Sequence, residues 1–468
     1  MIPVVQVAEM RAIDAASEVP TEELIRRAGA QVGRQALRLL GGTYGRRVVV
    51  VAGKGHNGDD GRVAAAWLAA RGAKVAVLDA ARAPEHLPAC DLVVDAAYGT
   101  GFSGEYRAPL PAPGTSPPVV AVDIPSGLAG DTGQAGEGAV RANLTVTFAA
   151  LKPGLLLGQG PERAGRVSVA DIGLDASGAR AHLVEDVDVA QGLPTRPREA
   201  HKWSSAVYVA AGSPGMHGSA RLCAAGAMRA GAGMVRLGVP GAAPSELPPT
   251  EAVGSPLPLE GWDVPVLEAL ARCRALVVGP GLGRSEAARS ALERLVAAAP
   301  VPTVVDADGL ALLGRAADVR RLSSLRRAPL VLTPHDGEFA RLAGGPPGED
   351  RLGAARRLAA EAGAVVLLKG PTTLVAEPGG RALFVTSGSA RLATAGTGDV
   401  LAGMVGAFLA QGLDAEWAAG LAAHVHGAAA RLGFRRGLVA SDLPGLVARW
   451  TSRLGAPGRR RRRGPGRR

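Results

Sequence analysis

The chain has 468 residues, of which 47% are hydrophobic, and a formal net charge of +11. This length predicts two to four domains, and this hydrophobic content excludes wholesale disorder. Glycine and proline are frequent but follow no fixed period, which excludes a collagen-like repeat. The last ten residues hold seven arginines, so the rest of the chain carries only +4. Such a run can bind nucleic acid or anionic lipid, but a solvated terminus is the simpler interpretation.

The cysteines and the N-terminus bear on the compartment. Cys90, Cys223 and Cys273 are widely spaced and form neither a metal-binding CxxC pair nor a disulfide framework. The first fourteen residues lack a signal-peptide pattern, and no run of about 18 apolar residues predicts a membrane span. We therefore expect a cytoplasmic protein without a membrane partner. The sequence leaves the oligomeric state open, and a homo-oligomer is compatible with it.

The first part of the chain repeats one pattern. Residues 7–40 have helical spacing and end at a pair of glycines. A short β-branched run, a glycine-rich turn and an Ala/Leu-rich helix then recur, which predicts a parallel sheet covered on both faces. The predicted strands are Arg47–Ala52, Ala73–Leu78, Leu92–Asp95, Val119–Asp123, Leu144–Phe148 and Arg166–Val169.

A second α/β series follows a linker at residues 190–200, which contain two prolines and several charges. We predict two three-layer αβα domains, residues 1–195 and 196–455, and a disordered Arg-rich tail at 456–468. Residues 398–432 are predicted to be helical throughout. The predicted strands of the second domain are Ser205–Ala211, Met234–Val239, Ala275–Gly279, Thr303–Asp306, Leu330–Leu332, Val365–Lys369 and Thr373–Ala376.

A glycine loop, residues 53–61, follows the strand that ends at Ala52. Glycines let a backbone approach a ligand, and a helix N-terminus offers free N–H groups to a phosphate. The loop fits neither GxGxxG nor GxxxxGK[ST], which argues against a standard dinucleotide fold or a P-loop. Asn57 and Asp60 add polar side chains beside the turn, although both residue types also cap helices.

Two further strands of the first domain end in carboxylates. Asp95 precedes an AAYGTG segment, and Asp123 precedes an IPSG segment that contains Ser126. Ligands of open α/β sheets bind at the carboxyl ends of the strands. Three strand ends that each deliver an oxygen-bearing side chain predict a binding site. A single aspartate at a strand end would be weaker evidence, because it often serves simply as a turn cap.

The segments GKGHNGDDG, VDAAYGTGFSG and AVDIPSGLAGDTG resemble the signatures of the NAD(P)HX epimerase domain, and residues 8–14 resemble its opening helix. The resemblance covers residues 5–190 and implies a Rossmann-like domain that interconverts the R and S forms of hydrated NADH and NADPH. It also implies a potassium ion held by Asn57, Asp95 and Ser126, with Asp123 as the catalytic acid or base beside the nicotinamide ring. Oxygen ligands suit such a hard cation.

The same resemblance implies which residues bind the hydrate. They are His56, Asn57, Gly58, Asp59, Asp60, Gly99, Thr100, Gly101, Phe102, Ser103, Gly104, Glu105 and Asp123. One departure concerns the glycine loop, where the family usually has Asn-Asn-Gly-Gly-Asp and this chain has His-Asn-Gly-Asp-Asp. The additional carboxylate of Asp59 should weaken phosphate binding unless it points away from the ligand.

The second domain contains the segment AGTGDVLAG, residues 395–403, before a long Ala-rich helix. Successive N–H groups at a helix start form an anion hole, and Asp399 can accept a proton from a substrate hydroxyl. Phosphoryl transfer needs both an anion hole and a base next to the nucleophile, so this segment predicts a phosphoryl-transfer site. The alternative interpretation is a glycine turn that Asp399 caps. The GTGD motif resembles that of ribokinase-like kinases.

Further motifs narrow the family. GPGLG, DADGL, TPHDGE and LKGPTT follow in order after a glycine-rich opening segment at residues 215–220. Together they resemble the ADP/ATP-dependent NAD(P)H-hydrate dehydratases, which implies a ribokinase-like fold. Asp336 stands where that family usually has proline.

This second resemblance implies roles for its matching residues. Asp399 is the implied base, Mg²⁺ is expected with ADP or ATP, and the choice between the two nucleotides stays open. The implied hydrate pocket consists of Ser219, Gly281 and His335. The implied nucleotide contacts are Lys369, Gly370, Pro371, Thr372, Thr373, Gly398 and Asp399.

The two resemblances together imply a bifunctional repair enzyme for hydrated nicotinamide nucleotides, NADHX and NADPHX. One alternative is a ribokinase-like small-molecule kinase, but it leaves the first domain unexplained. Another is nucleic-acid binding through the arginine tail, which predicts steep salt dependence. Because the domains lack a basic patch interleaved with aromatic residues, we expect no specific nucleic-acid partner.

Overall fold

A computed structural model describes residues 1–101, 104–242 and 251–454. Its contacts divide the chain into two compact units, Ile2–Ala181 and the part that begins at His182. This division precedes the predicted boundary after residue 195, because the helix Asp186–Gly192 belongs to the second unit. Whether the halves fold separately at residue 195 stays a prediction. Phe102, Ser103 and the predicted tail lie outside the described residues.

The first unit is built on a parallel sheet with strand order β3-β2-β4-β5-β6-β7. The six strands of this sheet are β2 (Arg47–Ala52), β3 (Lys74–Asp79), β4 (Leu92–Ala96), β5 (Val119–Val122), β6 (Leu144–Phe148) and β7 (Arg166–Ala170). The unit also contains the short strand β1 (Ile2–Val4), which is not part of this sheet. Its helices are α1 (Val7–Ala15), α2 (Thr21–Leu40), α3 (His56–Ala69), α4 (Pro153–Leu156) and α5 (Gly160–Arg163), with a 3₁₀ turn at Ala80–Arg82.

Helices α2 and α3 pack together on one face of this sheet. The apolar sides of α2 and α3 bury Val48, Val50 and Val94 of the sheet in one core cluster. On the other face the chain between β4 and β5 forms no helix among its described residues. That segment has five prolines between residues 109 and 118, and proline removes backbone donors and disfavours helix. The predicted helix after each strand is therefore wrong at this crossover, although the predicted α/β class with parallel sheets is confirmed.

The second unit has a larger sheet, with order β8-β17-β16-β15-β14-β13-β12-β9-β10-β11. In this order, each pair of neighbouring strands between β15 and β11 is parallel, and this stretch includes β9 and β10. The pairs β15–β16 and β16–β17 are antiparallel. The strands are β8 (Ala181–Leu183), β9 (Ala206–Ala210), β10 (Met234–Pro240), β11 (Val253–Leu257), β12 (Ala275–Val278), β13 (Thr303–Val305), β14 (Leu330–Leu332), β15 (Val365–Leu368), β16 (Thr373–Ala376) and β17 (Ala382–Val385).

Helices of the second unit flank its sheet, and two of them are buried along almost their whole length. These are α14 (Thr397–Ala410) and α15 (Ala415–Ala430). The other helices are α6 (Asp186–Gly192), α7 (His217–Arg229), α8 (Asp263–Leu270), α9 (Glu286–Ala298), α10 (Asp308–Leu313), α11 (Ala316–Ser323), α12 (Asp336–Ala343), α13 (Arg351–Ala362) and α16 (Leu443–Thr451). None of the helices in the described ranges has the length and apolar character needed to cross a membrane.

The predicted strands are all present, four with their predicted bounds and the others with ends that shift by one residue. Four strands were not predicted, namely β1, β8, β11 and β17. The prediction of one continuous helix over residues 398–432 is wrong, because the chain turns between α14 and α15. Gly412 has φ 92° there, a left-handed conformation that a helix cannot continue.

Candidate active sites

The first site is a cavity of about 690 Å³ at the carboxyl ends of β2, β4 and β5. Helix α1 contributes Asp14 to its wall, and Lys152 lies at the start of α4. The predicted residues that line the cavity are His56, Asn57, Asp60, Gly99, Thr100, Gly101 and Asp123. Three other predicted residues do not line it: Gly58 packs against the Gly53 carbonyl, and Gly104 and Glu105 are exposed elsewhere.

Asp123 and Lys152 form a buried ion pair at this cavity. The Lys152 Nζ donates to Asp123 Oδ1 at 2.7 Å, to Thr147 Oγ1 at 2.9 Å and to the Phe148 carbonyl at 3.1 Å. Its side chain is only 1% exposed. Asp123 follows β5 with φ 64°, a conformation that costs a non-glycine residue energy and turns the chain sharply. Lys152 belongs to none of the motifs in the sequence, although it is one of only five lysines in this Arg-rich chain.

Two more carboxylates share the cavity with Asp123. Burial raises the pKa of Asp60 to about 8, and the charges of Asp123, Asp59 and Asp14 contribute. Burial also raises the pKa of Asp14, against the nearby positive charge of Lys152. Asp60 is therefore mostly protonated at neutral pH and can donate a hydrogen bond to a ligand.

Asp59 lies on the same glycine loop but does not line the cavity. Its carboxylate accepts a hydrogen bond from Arg62 at 2.9 Å. Arg62 also donates to the Gly53 carbonyl at 2.8 Å, so the pair ties the loop to the first turn of α3. The charge that the sequence placed beside a phosphate is thus compensated and turned away from the cavity.

The predicted cation ligands Asp95 and Ser126 contact each other, and neither is among the residues that line this cavity. The Ser126 hydroxyl donates to Asp95 Oδ1 at 2.6 Å, and the Ser126 N–H donates to Asp95 Oδ2 at 2.8 Å. Asp95 is 2% exposed, and burial raises its pKa to about 6 against the hydrogen bonds from Ser126 and Ala97. Both amide atoms of Asn57 are buried without a hydrogen-bond partner in the described part of the chain. The Asn57 amide oxygen lies beside Gly99 and is available as a ligand for a cation.

The second site lies at the N-terminus of α14. Gly396 caps the helix with φ 87°, and the Thr397 hydroxyl donates to the carbonyls of Leu392 at 2.9 Å and Thr394 at 3.0 Å. Asp399 stands in the first turn, where the helix dipole favours a carboxylate. Burial raises the pKa of Asp399 to about 6, with the Asp306 charge adding to the effect and a Ser219 hydrogen bond opposing it.

Lys369 brings a positive charge to this helix start. Its Nζ donates to Asp306 Oδ1 at 2.9 Å and lies 3.6 Å from Glu338 Oε2. A Cβ built on Gly398 would be 3.6 Å from the same Nζ, so the lysine adjoins the predicted anion hole. Burial opposes the charge of Lys369, but the carboxylates of Asp306, Glu338 and Asp399 outweigh it and raise the pKa. Asp306 opens the DADGL motif, which by itself predicts no role for this carboxylate.

The predicted hydrate-pocket residues divide into two groups. Gly281, with φ 66°, lies against Ser219, and the Ser219 side chain is close enough to Asp399 to lower the pKa of that carboxylate, so these three are brought together. His335 instead caps α12, where its Nδ1 accepts hydrogen bonds from the N–H groups of Gly337 at 3.0 Å and Glu338 at 3.3 Å. Its side chain is 58% exposed, so a capping role and a face open to a ligand coexist.

The predicted nucleotide segment, Lys369–Thr373, spans the turn between β15 and β16. Arg351 donates to both carboxylate oxygens of Asp336, at 2.9 and 2.8 Å, and to the Lys369 carbonyl at 3.3 Å. The aspartate that departs from the family pattern therefore links the TPHDGE loop to the nucleotide segment.

Comparison with known proteins assigns both halves. A family model described as NAD(P)H-hydrate dehydratase matches residues 207–450, and one described as YjeF-related protein N-terminus matches residues 21–88 and 79–154. The chain is 42% identical over 434 residues to the bifunctional NAD(P)H-hydrate repair enzyme Nnr of Mycobacterium tuberculosis, which covers 86% of this chain and 88% of that protein. The Mycobacterium leprae enzyme of the same name is 40% identical over 470 residues, with 94% of each covered.

Solved structures match the second half. The ADP/ATP-dependent NAD(P)H-hydrate dehydratase of Bacillus subtilis, co-crystallised with ATP and Mg²⁺, is 30% identical with a TM-score of 0.50 and covers 58% of this chain and 97% of its own. A ribokinase-like protein of Enterococcus faecalis is 20% identical with a TM-score of 0.52, covers 59% of this chain and 98% of its own, and shows the fold alone.

No group of three or more His, Cys, Asp or Glu that could hold a metal occurs within residues 1–101, 104–242 and 251–454.

Proposed function

The chain belongs to the bifunctional NAD(P)H-hydrate repair enzymes, and we propose that its two sites act in sequence on damaged NADH and NADPH. The first site interconverts R- and S-NAD(P)HX, and the second dehydrates the S form with the help of a nucleotide. The observation that carries this proposal is that one chain contains both a buried Asp–Lys pair in a cavity and an aspartate at a helix start beside a lysine.

Epimerisation requires that the bond between the hydrated ring carbon and its oxygen breaks and re-forms on the other face. A positioned acid or base must move the proton that accompanies this oxygen. Asp123 is the proposed group, because it lines the cavity and its carboxylate is held by Lys152 and Thr147. Protonated Asp60 would bind an oxygen of the substrate as a neutral donor.

We propose Asn57, Asp95 and Ser126 as the residues that hold a potassium ion. The orphaned Asn57 amide and the single carboxylate of Asp95 fit a weakly hydrated monovalent cation better than Mg²⁺, which keeps several waters. A bound ion would supply a fixed positive charge beside Asn57, which lines the cavity. Asp95→Ala should therefore impair epimerisation and its potassium dependence, while dehydration of purified S-NAD(P)HX continues. Titration with potassium against sodium measures this, and equal activity without potassium would contradict the ion assignment.

In the second site, hydroxide is a poor leaving group, so the hydroxyl must first become a phosphate ester. Asp399 accepts the hydroxyl proton while the oxygen attacks the terminal phosphoryl group of the nucleotide, and the bond from that group to the remaining AMP or ADP breaks. The N–H groups of residues 396–398 and the ammonium of Lys369 stabilise the charge on that phosphoryl group. The ring nitrogen then helps to expel phosphate, and loss of a proton from the neighbouring carbon restores the double bond.

Mg²⁺ with ADP or ATP is the proposed ionic partner of this step. Bound with the nucleotide, the ion would neutralise phosphate charge. The residues that fit it are Asp306 and Glu338, because Mg²⁺ binds through one or two carboxylates together with phosphates, and both carboxylates face Lys369. We also propose a cytoplasmic location, which the three free cysteines support.

One experiment tests the whole proposal. A mixture of both hydrate epimers is supplied with Mg²⁺ and either ADP or ATP, and the absorbance of the reduced cofactor is followed. Complete recovery is expected, because epimerisation feeds the R form into dehydration. A recovery that stops when the S form is exhausted would remove the epimerase assignment. Accumulation of a stable phosphorylated product without recovery would favour the small-molecule kinase.

A further inference from the structure

Ala307 has a backbone conformation that side chains rarely adopt. Its φ is 54° and its ψ is −121°, a region that glycine enters freely and alanine enters only with strain. Strain of this kind persists only where the surrounding structure enforces it, and it occurs preferentially at functional sites. Ala307 lies between Asp306 and Asp308, the two carboxylates of the DADGL motif. The partners of these carboxylates are therefore the place to seek the role of this segment.

The two carboxylates have partners in different parts of the second unit. Asp306 Oδ1 accepts a hydrogen bond from Lys369 Nζ at 2.9 Å, at the start of the predicted nucleotide segment. Asp308 Oδ2 instead accepts a hydrogen bond from the Gly283 N–H at 3.1 Å, in the GPGLG motif. The turn at Ala307 thus directs one carboxylate toward the nucleotide segment and the other toward the glycine-rich loop after β12.

This loop, called here the GPGLG loop, comprises residues 279–283 and contains the predicted hydrate contact Gly281. Gly281 and Gly283 have φ values of 66° and 73°. Because glycine has more backbone freedom than other residues, the loop needs contacts from outside to keep a single conformation. Before α7, the Ser213 hydroxyl donates to the Gly281 carbonyl at 2.9 Å, and at the start of α10 the Asp308 carboxylate accepts from the Gly283 N–H. Asp308 therefore helps to determine where Gly281 lies.

We propose that Asp308 is a positioning residue for hydrate binding, which fixes the GPGLG loop through the Gly283 N–H. The inference rests on the proposed function of the second site. The hydrogen bond to the backbone is the stronger contact, because its acceptor is a charged carboxylate and the Asp308 side chain is only 19% exposed. The ion pair between Asp308 Oδ1 and Arg284 Nε, at 2.8 Å, contributes less, because the arginine side chain is 58% exposed. Asp308 acts through the loop, while Asp399 and Lys369 face the reacting groups.

The test uses the full-length protein with Asp308→Ala, Asp308→Asn and Arg284→Gln. Alanine removes both contacts of the carboxylate, asparagine keeps an oxygen for the Gly283 N–H, and Arg284→Gln removes only the ion pair. We expect Asp308→Ala to raise the KM for S-NAD(P)HX about tenfold or more, because loss of a hydrogen bond to a charged group changes an equilibrium by about that factor. The kcat of dehydration and the KM for the nucleotide should stay within about twofold, the pattern of a lost binding interaction. Asp308→Asn and Arg284→Gln should raise the KM for the hydrate by no more than about threefold, and epimerisation should be unchanged.

Asp318→Ala is the matched control. The Asp318 carboxylate also accepts a hydrogen bond from a backbone N–H of the second unit, that of Arg315 at 2.9 Å, but this bond lies at the start of α11 and not in the GPGLG loop. The control should unfold at a temperature similar to that of Asp308→Ala and keep the wild-type KM for the hydrate. If Asp308→Ala fails to fold, Asp308→Ser asks the same question with a polar side chain that is one bond shorter than the carboxylate.

Three results would overturn the inference. One is a wild-type KM for the hydrate in a folded Asp308→Ala or Asp308→Ser variant. Another is an equal rise of this KM in Asp308→Asn, which would assign the effect to the charge and not to the hydrogen bond with the loop. The third is an equal rise in Asp318→Ala, or an equal rise of the nucleotide KM in Asp308→Ala, which would make the carboxylate merely structural. A wild-type protein that fails to dehydrate S-NAD(P)HX with either nucleotide would remove the proposed function itself, whereas an active wild type with unaffected Asp308 variants would remove only the role of Asp308.

Discussion

Replacing Lys152 with methionine removes the ammonium of the buried ion pair in the first site and keeps most of the side-chain volume. Three hydrogen bonds disappear, to Asp123, Thr147 and the Phe148 carbonyl. Asp123 is then a carboxylate with 15% of its side chain exposed and one remaining side-chain donor, Thr147, at 3.1 Å. We expect both the stability of the first unit and its epimerase activity to fall.

The magnitude follows from the burial of the pair. Loss of one partner of a buried ion pair costs about 3–5 kcal/mol. Because Asp123 keeps Thr147 and some access to solvent, we expect the lower end, about 3 kcal/mol. For a unit of this size each 1 kcal/mol lowers the unfolding temperature by about 2–4 °C, so the transition should fall by about 6–12 °C.

A double variant separates the ion pair from simple loss of packing. Asp123→Asn keeps the shape and tolerates the positive φ, since asparagine adopts left-handed conformations more readily than most residues. Asp123→Asn alone leaves the ammonium buried without its counter-charge and should also destabilise. The combination with Lys152→Met leaves no unpaired charge and should be less destabilising than the sum of the two single changes by about 2 kcal/mol.

The assay is thermal unfolding followed by circular dichroism, together with both activities. Dehydration of purified S-NAD(P)HX serves as the control, because it needs only the second unit. Strictly additive effects, or a Lys152→Met protein that unfolds within about 2 °C of the wild type, would refute the assignment of a stabilising buried pair.

Three further outcomes are expected in the second site. Asp399→Asn should lower dehydration by at least about 10²-fold and spare epimerisation, and a residual rate above about a tenth would contradict its role as base. Because the pKa of Asp399 is raised to about 6 in the free protein, the base is charged above that pH, so the kcat/KM of dehydration should be constant above about pH 7 and fall about tenfold per unit below pH 6; a profile that stays flat to pH 4 would refute this. Because Asp336 is exposed, loss of its ion pair in Asp336→Asn or Arg351→Gln should raise the nucleotide KM by no more than about fivefold, and the double variant should match the singles. Additive effects on KM would show that the two side chains act separately.

The sequence predicted the strands well because their apolar runs are continuous and end at glycine or aspartate. Arg47–Ala52 and Leu144–Phe148 have the predicted bounds, since both lie inside a parallel sheet that demands apolar residues on both faces. Residues 398–432 were predicted as one helix because alanine and leucine continue across the break. Gly412, with its positive φ, and Asp414, the N-cap residue of α15, lie at the break, and a single glycine is a weak signal for a turn.

Side-chain partners were harder to predict, because they come from distant parts of the chain. The interaction of Lys152 with Asp123 spans 29 positions, and no local pattern marks it. Asp59 looked unfavourable in the glycine loop because its partner Arg62, three residues away, carried no motif. His335 was assigned to a pocket on resemblance alone, while its capping bonds depend on where α12 begins.

The three hydrogen bonds of Lys152 limit how far the chain can exchange one basic residue for another. Almost all its cations are arginines, yet the buried cation that pairs with Asp123 is a lysine. An ammonium is compact and donates in three directions, whereas a guanidinium is flat and donates within one plane. The enclosed space between Asp123, Thr147 and a backbone carbonyl fits the first shape only. Lysine to arginine is a mild substitution at an exposed site. At Lys152 in the first cavity it should be among the least tolerated changes.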